Sequence, residues 1–307
     1  MGASSSGRSE DGQATIEAVV HCSDTVATLK GVANCAAAAA AGRLVVFADF
    51  DRTITRCFLP DGRRGYSSHG VLENSDLLSE VYRAKTKELF DKYFPIEIDS
   101  TMAIEEKIPI MTEWYTQVHR LMVGEGITRS NLQAWVAGCK NIMLRDGMAD
   151  FLRACQDARP PIPVLIMSAG LGDVIDEFLR RTLPFTVAPT TLVVSNRLRF
   201  DYEGRLVGFS EPLLHMFNKQ AAFLPEDGRH LTEGRTHCVL LGDGVGDLTM
   251  ADGLAVDTLK VGFLNEKVDE KLAQFEKLFD AVVVEDGAMP ELCFRAIGAK
   301  SERCLQR

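Results

Sequence analysis

The sequence predicts an α/β fold: a Rossmann-like core with a parallel sheet, and a helical segment inserted into its first crossover. Three observations predict it. Short apolar runs rich in β-branched residues recur along the chain, the texture of strands buried on both faces. Each of the first three ends in a small or acidic residue: Arg43–Ala48 before Asp49, Val164–Met167 before Ser168, and Cys238–Leu241 before Gly242 and Asp243. Finally, 119 residues separate Asp49 from Ser168, several times what a single βα crossover requires, and their apolar residues recur at helical spacing.

Taken in order, residues 1–13 carry Gly and Ser without apolar periodicity and read as a disordered leader. Met1-Gly2-Ala3-Ser4-Ser5-Ser6 also matches the N-myristoylation pattern at Gly2, a membrane attachment that the same residues explain equally as a flexible leader. From Ala14 to Ala41 the composition favours helix, with Ile16, Val19, Val20, Val26 and Leu29 as its apolar face. The first strand follows. In the insertion, Leu72, Leu77, Leu78, Val81 and Tyr82 begin one helical stripe, and Ile104, Ile108, Met111, Tyr115, Val118 and Met122 form another. Beyond the second strand, Val193–Phe200 and Leu206–Phe209 flank Asp201-Tyr202-Glu203-Gly204-Arg205, a strand-turn-strand signal. Leu259–Leu264 and Ala281–Val284 are the last strands. The expected organisation is a leader at 1–13, an α/β core at 14–56 and 146–307, and a helical cap at 57–145.

Composition narrows the function. The 307 residues carry 34 Lys plus Arg against 43 Asp plus Glu, a net charge of −9, which speaks against coating a nucleic-acid polymer. Eight cysteines without a C-x-x-C pair exclude a zinc ribbon and read as reduced thiols in a cytoplasmic protein. The alanine tract 36–41 is far below the roughly 20 apolar residues of a membrane span. A monomer or weak oligomer acting on a small molecule is expected.

Chemistry concentrates at the strand ends. Asp49 and Asp51, two apart, suit a division of labour in which one carboxylate attacks an electrophile and the other trades a proton with the leaving group; an acidic pair there also suits a turn or a metal site. Asp243 and Asp247 in Gly242-Asp243-Gly244-Val245-Gly246-Asp247 offer hard oxygen ligands for Mg2+ facing Asp49, or caps for the next helix. Ser168, before Ala169-Gly170-Leu171-Gly172, combines a hydroxyl with backbone N–H groups at a helix start, an anion cradle or a simple cap. Lys219 alone would be an ordinary lysine.

In this order the four segments resemble the haloacid dehalogenase superfamily. A closer resemblance, from about residue 43 to about 285, is to the cytosolic 5'-nucleotidase III (pyrimidine 5'-nucleotidase) family. It is carried by Phe47-Ala48-Asp49-Phe50-Asp51-x-Thr53, Pro95-Ile96-Glu97-Ile98-Asp99, Ile104-Glu105-Glu106-Lys107, Glu113-Trp114-Tyr115-Thr116, Ser168–Asp173, His215-x-Phe217-Asn218-Lys219, Leu240–Gly253 and Gly262-Phe263-Leu264-Asn265.

The resemblance implies a superfamily core with a C1-type helical cap, and a Mg2+-dependent hydrolase releasing phosphate from CMP and UMP through an aspartyl-phosphate. Asp49 would be the nucleophile and Asp51 the proton donor, then acceptor. The Asp49 side chain, the Asp51 carbonyl and Asp243 would hold the metal; Ser168, the Ala169 N–H and Lys219 the phosphate; Asp247 would steady the metal waters or Lys219. Glu97 would meet the base, and a carboxylate can accept from the cytosine amino group. Where members handling N7-methylguanosine monophosphate carry a serine that touches the base, this chain has Val118. It also carries Ser67-Ser68-His69-Gly70 where the family has a cysteine pair. Tyr115 and His119 suit either stacking on a base or helix packing. The competing expectations are a phosphatase for another small phosphomonoester, such as N7-methylguanosine monophosphate, and a non-catalytic nucleotide-binding regulator.

Overall fold

The computed structural model describes residues 18–99 and 101–301. Strand β1 (Val19–His21) leads into helix α1 (Thr25–Ala40), then β2 (Leu44–Ala48). Four helices follow before the next strand-linked helix: α2 (Ser68–Glu73), α3 (Glu80–Ile98), α4 (Ile104–Val123) and α5 (Arg129–Gly138). The chain continues through α6 (Met148–Asp157), β3 (Val164–Leu171), α7 (Gly172–Thr182), β4 (Thr191–Asn196), β5 (Leu198–Phe200) and β6 (Leu206–Phe209). It ends with α8 (Glu226–Thr232), β7 (His237–Gly242), β8 (Asp257–Leu264), α9 (Val268–Leu278), β9 (Ala281–Val284) and α10 (Glu291–Ala296).

Seven strands form one sheet in the order β1-β9-β8-β7-β2-β3-β4. All neighbours pair parallel except β1, which runs antiparallel to β9. The predicted α/β class is therefore the observed one. Strand β2 is buried at every residue, as are β9 and all but the first residue of β7, which accounts for their unbroken apolar sequence. From β2 the chain builds outward to β3 and β4 on one side and returns on the other through β7, β8 and β9. The crevice at such a reversal of strand order lies at the carboxyl ends of the strands, and the carboxyl ends of β2 and β7 carry Asp49 and Asp243.

Three expectations change. The helix expected over 14–41 begins only at Thr25, because Val19 and Val20 pair with Val284 and Val283, and Asp24 caps the helix by accepting from the Ala27 N–H. Its core face is Thr28, Val32, Cys35, Ala38 and Ala39, while Val26 and Leu29 are 80% and 46% exposed. Ile16, the leader and Gly2 lie outside the described residues. Second, the stripe beginning at Leu72 is broken by a turn that carries Leu77 and Leu78: α2 ends at Glu73, and Ser79 caps α3 through the Tyr82 N–H. Third, the run Val193–Phe200 divides at Arg197, leaving β4 in the main sheet and β5 in a hairpin with β6 across the expected turn. That hairpin joins the inserted helices through a bridge between Thr128 and Arg205. All seven cysteines among the described residues are free, and no described helix is long and apolar enough to cross a membrane.

Candidate active site

Asp49 extends β2 by one residue, its N–H donating to the Leu241 carbonyl at 2.9 Å. The backbone then turns abruptly through Phe50–Ile54, with Arg52 in the left-handed region at φ 67° and ψ 5°. That turn separates the two acids. The Asp49 carboxylate accepts from Lys219 Nζ at 2.5 Å. Asp51 lies against α2, where Oδ1 accepts from the Ser68 N–H at 2.7 Å and Oδ2 from the Ser68 hydroxyl at 2.8 Å.

Lys219 bridges Asp49 and Asp247, reaching Asp247 Oδ1 at 2.6 Å, with all three side chains almost wholly buried. The other Asp247 oxygen accepts from the Asp243 and Gly244 N–H groups, each at 3.0 Å, so Asp247 both caps the turn Val245–Thr249 and pairs with Lys219. The packing leaves no room for a side chain at Gly242, whose added Cβ would stand 2.5 Å from Asp247 Cβ, or at Gly246, where it would stand 2.3 Å from the Met216 carbonyl oxygen. Lys219 is set by a local lock: the Asn218 side chain accepts from the His215 N–H and donates to the Leu213 carbonyl.

Ser168 is buried, and its hydroxyl accepts from the Gly170 N–H at 3.0 Å. The helix start expected immediately after it is displaced. Strand β3 runs on to Leu171 with an irregularity against β4 after Met167, and α7 begins at Gly172. Asn196 and Ser195 hold this segment by donating to the Ala169 and Gly170 carbonyls, both at 2.7 Å.

The electrostatics follow from burial and charge excess. Burial pushes the Asp49 carboxyl well above the usual range; Lys219 opposes this, and Asp247, Asp243 and Asp51 reinforce it. Asp243 is raised to about 7, chiefly by burial and then by Asp247. Burial also raises Asp51, against the two Ser68 hydrogen bonds. For Lys219 burial acts downward, but Asp247 and Asp49 outweigh it and hold the ammonium above its ordinary value. Carboxylate oxygens of Asp49, Asp243 and Asp247 lie within 4.8 Å of one another. Such an all-oxygen, charge-excess set fits a hard divalent cation such as Mg2+.

Glu97 is half-buried near the end of α3, and burial raises its carboxyl against the pull of Lys107 and Arg52. Lys107 fastens that helix end by donating to the Glu97 and Asp99 carbonyls. Tyr115 in α4 makes ring contacts with His69, His119, Trp114 and His215, and its hydroxyl feels both Glu97 and Asp51. Val118 is half-buried in the same helix. His119 is a packing residue, stacked on Phe209 of β6 at 3.7 Å.

Asp49, Lys219, Asp243 and Asp247 thus converge, with Asp51 on the same turn and Ser168 at the neighbouring strand end. Sequence reading missed Ser68, Asn196 and Arg145. Ser68 and Asn196 act on partners 17 and 27 residues away, and Arg145 on the adjacent Arg52 and Thr53 carbonyls, the Gly287 carbonyl and the Asn265 side chain, so no local pattern marks them.

The family profile described as pyrimidine 5'-nucleotidase (UMPH-1) matches residues 52–295. The chain belongs to that family. A solved structure of cytosolic 5'-nucleotidase IIIB bound to cytidine superposes on this pyrimidine 5'-nucleotidase family member with a TM-score of 0.81 at 32% identity, covering 94% of this chain and 95% of the other. The 7-methylguanosine phosphate-specific 5'-nucleotidase A of Xenopus laevis is 40% identical over 248 residues, covering 80% of this chain and 83% of its own. The human 7-methylguanosine phosphate-specific 5'-nucleotidase is 39% identical over 247 residues, 80% of each chain. This family member is accordingly a 5'-nucleotidase built on a mostly parallel α/β fold.

Proposed function

We propose that the chain is a cytoplasmic, Mg2+-dependent hydrolase of pyrimidine nucleoside 5'-monophosphates, with residues 57–145 as the cap that reads the base. The observation that carries this reading is the buried Asp49–Lys219–Asp247 bridge at the strand ends, beside Asp243 and with Asp51 two residues from the nucleophile. Asp49 attacks phosphorus, and the bond to the nucleoside 5'-oxygen breaks as Asp51 delivers its proton there. Asp51 then takes a proton from the water that releases phosphate from Asp49. Lys219, the Ser168 hydroxyl and the Ala169 N–H hold the phosphate oxygens, while Asp247 keeps Lys219 in place. Asp49, Asp243 and the Asp51 carbonyl would hold Mg2+, which would supply the charge neutralisation that lets a carboxylate approach a phosphate dianion.

Glu97 gives the cap a half-buried acceptor for an exocyclic amino group, which cytosine has and uracil lacks. A second reading, N7-methylguanosine monophosphate as substrate, is favoured by the specificity in the names of relatives about 40% identical. A cationic methylguanine would suit the Tyr115 and Trp114 rings, although Val118 offers no hydroxyl to the base. Phosphate release from CMP, UMP, N7-methylguanosine monophosphate, GMP and a sugar phosphate separates the readings. CMP is expected to exceed UMP and the sugar phosphate. No release from CMP or UMP with Mg2+, or full turnover by Asp49→Asn, would overturn the pyrimidine reading; release confined to the methylguanylate would select the second.

A further inference from the structure

We infer that Ser68 is the positioning residue for the proton donor, and that its hydroxyl sets how well Asp51 serves a poor leaving group. The inference rests on the reading of Asp51 as general acid. Ser68 is fully buried at the start of α2 and grips Asp51 from both sides: its N–H donates to one carboxyl oxygen and its hydroxyl to the other. A carboxyl held at both oxygens has one orientation, whereas one held at a single oxygen can rotate about its terminal torsion.

The surroundings are shaped around this hydroxyl. A Cβ at Gly170 would fall 1.8 Å from Ser68 Oγ and 3.1 Å from Ser168 Oγ, so the absent side chain at Gly170 is what admits the Ser68 hydroxyl beside the segment proposed to bind phosphate. The Ser67 hydroxyl accepts from the Gly70 N–H and fixes the turn. Next in the chain, His69 makes ring contacts with Tyr115 and His119 of α4, so the turn that grips the acid also touches the aromatic wall facing Glu97. Ser68 thereby links the inserted helices to Asp51.

A positioning role for the acid has a signature that a general structural role lacks. Protonation of the leaving oxygen is needed for a nucleoside alkoxide and hardly at all for p-nitrophenolate. The quantity kcat/KM reports steps up to the first irreversible one, which includes departure of the leaving group and not the later hydrolysis of the phosphoenzyme. Ser68→Ala, which keeps the N–H and deletes the hydroxyl, is expected to lower kcat/KM for CMP by roughly tenfold or more, the loss of one hydrogen bond to a charged group. For p-nitrophenyl phosphate the expected change is under about threefold. Ser68→Cys, of the same shape with a weaker donor, is expected to fall between parent and Ser68→Ala on CMP. Equal losses on both substrates, or no loss on CMP, would overturn the proposal. Asp51→Asn measured on the same two substrates separates the layers. If it shows no leaving-group dependence, the general-acid reading of Asp51 is wrong. If it does and Ser68→Ala does not, only the role of Ser68 falls.

Discussion

Arg145 governs the backbone of the turn that aims Asp51. It is 1% exposed, and its guanidinium donates to the carbonyls of Thr53 at 2.7 Å, Arg52 at 2.5 Å and Gly287 at 2.6 Å, and to the Asn265 side-chain oxygen at 2.9 Å. Phe263 lies against its face, and burial lowers its pKa to about 10, partly offset by Asp286 at 3.4 Å. The left-handed backbone of Arg52 costs roughly 1–2 kcal/mol for a residue with a side chain, and the two donors on its carbonyl, Arg145 and the Asn265 amide, hold it there. Arg145→Met is expected to lower stability in urea unfolding by about 3–5 kcal/mol, because the buried Thr53 and Gly287 carbonyls lose their donor and Asp286 is left with Arg56 as its counter-charge. The same variant, assayed well below its midpoint, is expected to lose kcat/KM for CMP as Asp51 shifts. Asp49, Asp51 and Asp243 were readable from the chain because the first two follow the apolar run of β2 and the third that of β7. Arg145 was not, since what distinguishes it is that the Arg52–Thr53 turn, the Gly287 carbonyl and the Asn265 side chain, all distant from it in sequence, meet at one guanidinium.

Among the elements, strands declare themselves better than helix faces. Ala281–Val284 and the runs before Asp49 and Gly242 are apolar because both sheet faces are covered, and that requirement leaves a continuous mark in the sequence. In α1 the apolar residues at the start, Val26 and Leu29, face outward, while small residues such as Ala38 and Ala39 pack inward, so hydrophobicity alone selects the wrong side. In α4, Met111 and Met122 are buried as the spacing predicts, and His119, read there as a base-stacking or packing residue, is buried against Phe209. Burial, with a smaller contribution from His69, lowers His119 to about 3, well below the roughly 6.5 of an unfolded chain. A depressed imidazole is neutral when folded, so its contribution to stability is complete above about pH 6.5 and is lost as pH falls toward its folded pKa. Asp49 and Asp243, raised by burial, act with the opposite sign over part of that window, so the comparison with a variant isolates the histidine. His119→Gln is expected to reduce the slope of unfolding free energy against pH between about 6 and 4 by up to roughly 1.4 kcal/mol per pH unit. Denaturant melts at several pH values measure that slope, and an unchanged slope would mean that His119 is solvated.

At the scale of the molecule the charge balance poses a conflict: a net −9 chain is proposed to bind an anionic nucleotide. The proposed cation resolves it, because the fold gathers carboxylates where one could be held. Asp49, Asp243 and Asp247 crowd within 4.8 Å, and Lys219 alone bridges two of them, which leaves an excess of buried negative charge at the carboxyl ends of β2 and β7. Without a divalent cation this cluster opposes folding by its own repulsion and desolvation; with one, the local field reverses and favours phosphate. A ligand bound by the folded state alone stabilises it by about 2.7 kcal/mol at a hundred times its Kd. Saturating Mg2+ is therefore expected to raise Tm by several degrees, and a chelator to reverse the shift. Asp243→Asn removes one like charge and one ligand at once. It is expected to melt higher than the parent in chelator yet gain little from Mg2+, so the two melting curves should cross as the metal is titrated. If Asp243→Asn instead melts lower than the parent in chelator and keeps the full Mg2+ shift, the cation is held elsewhere and the acidic cluster serves only to anchor Lys219.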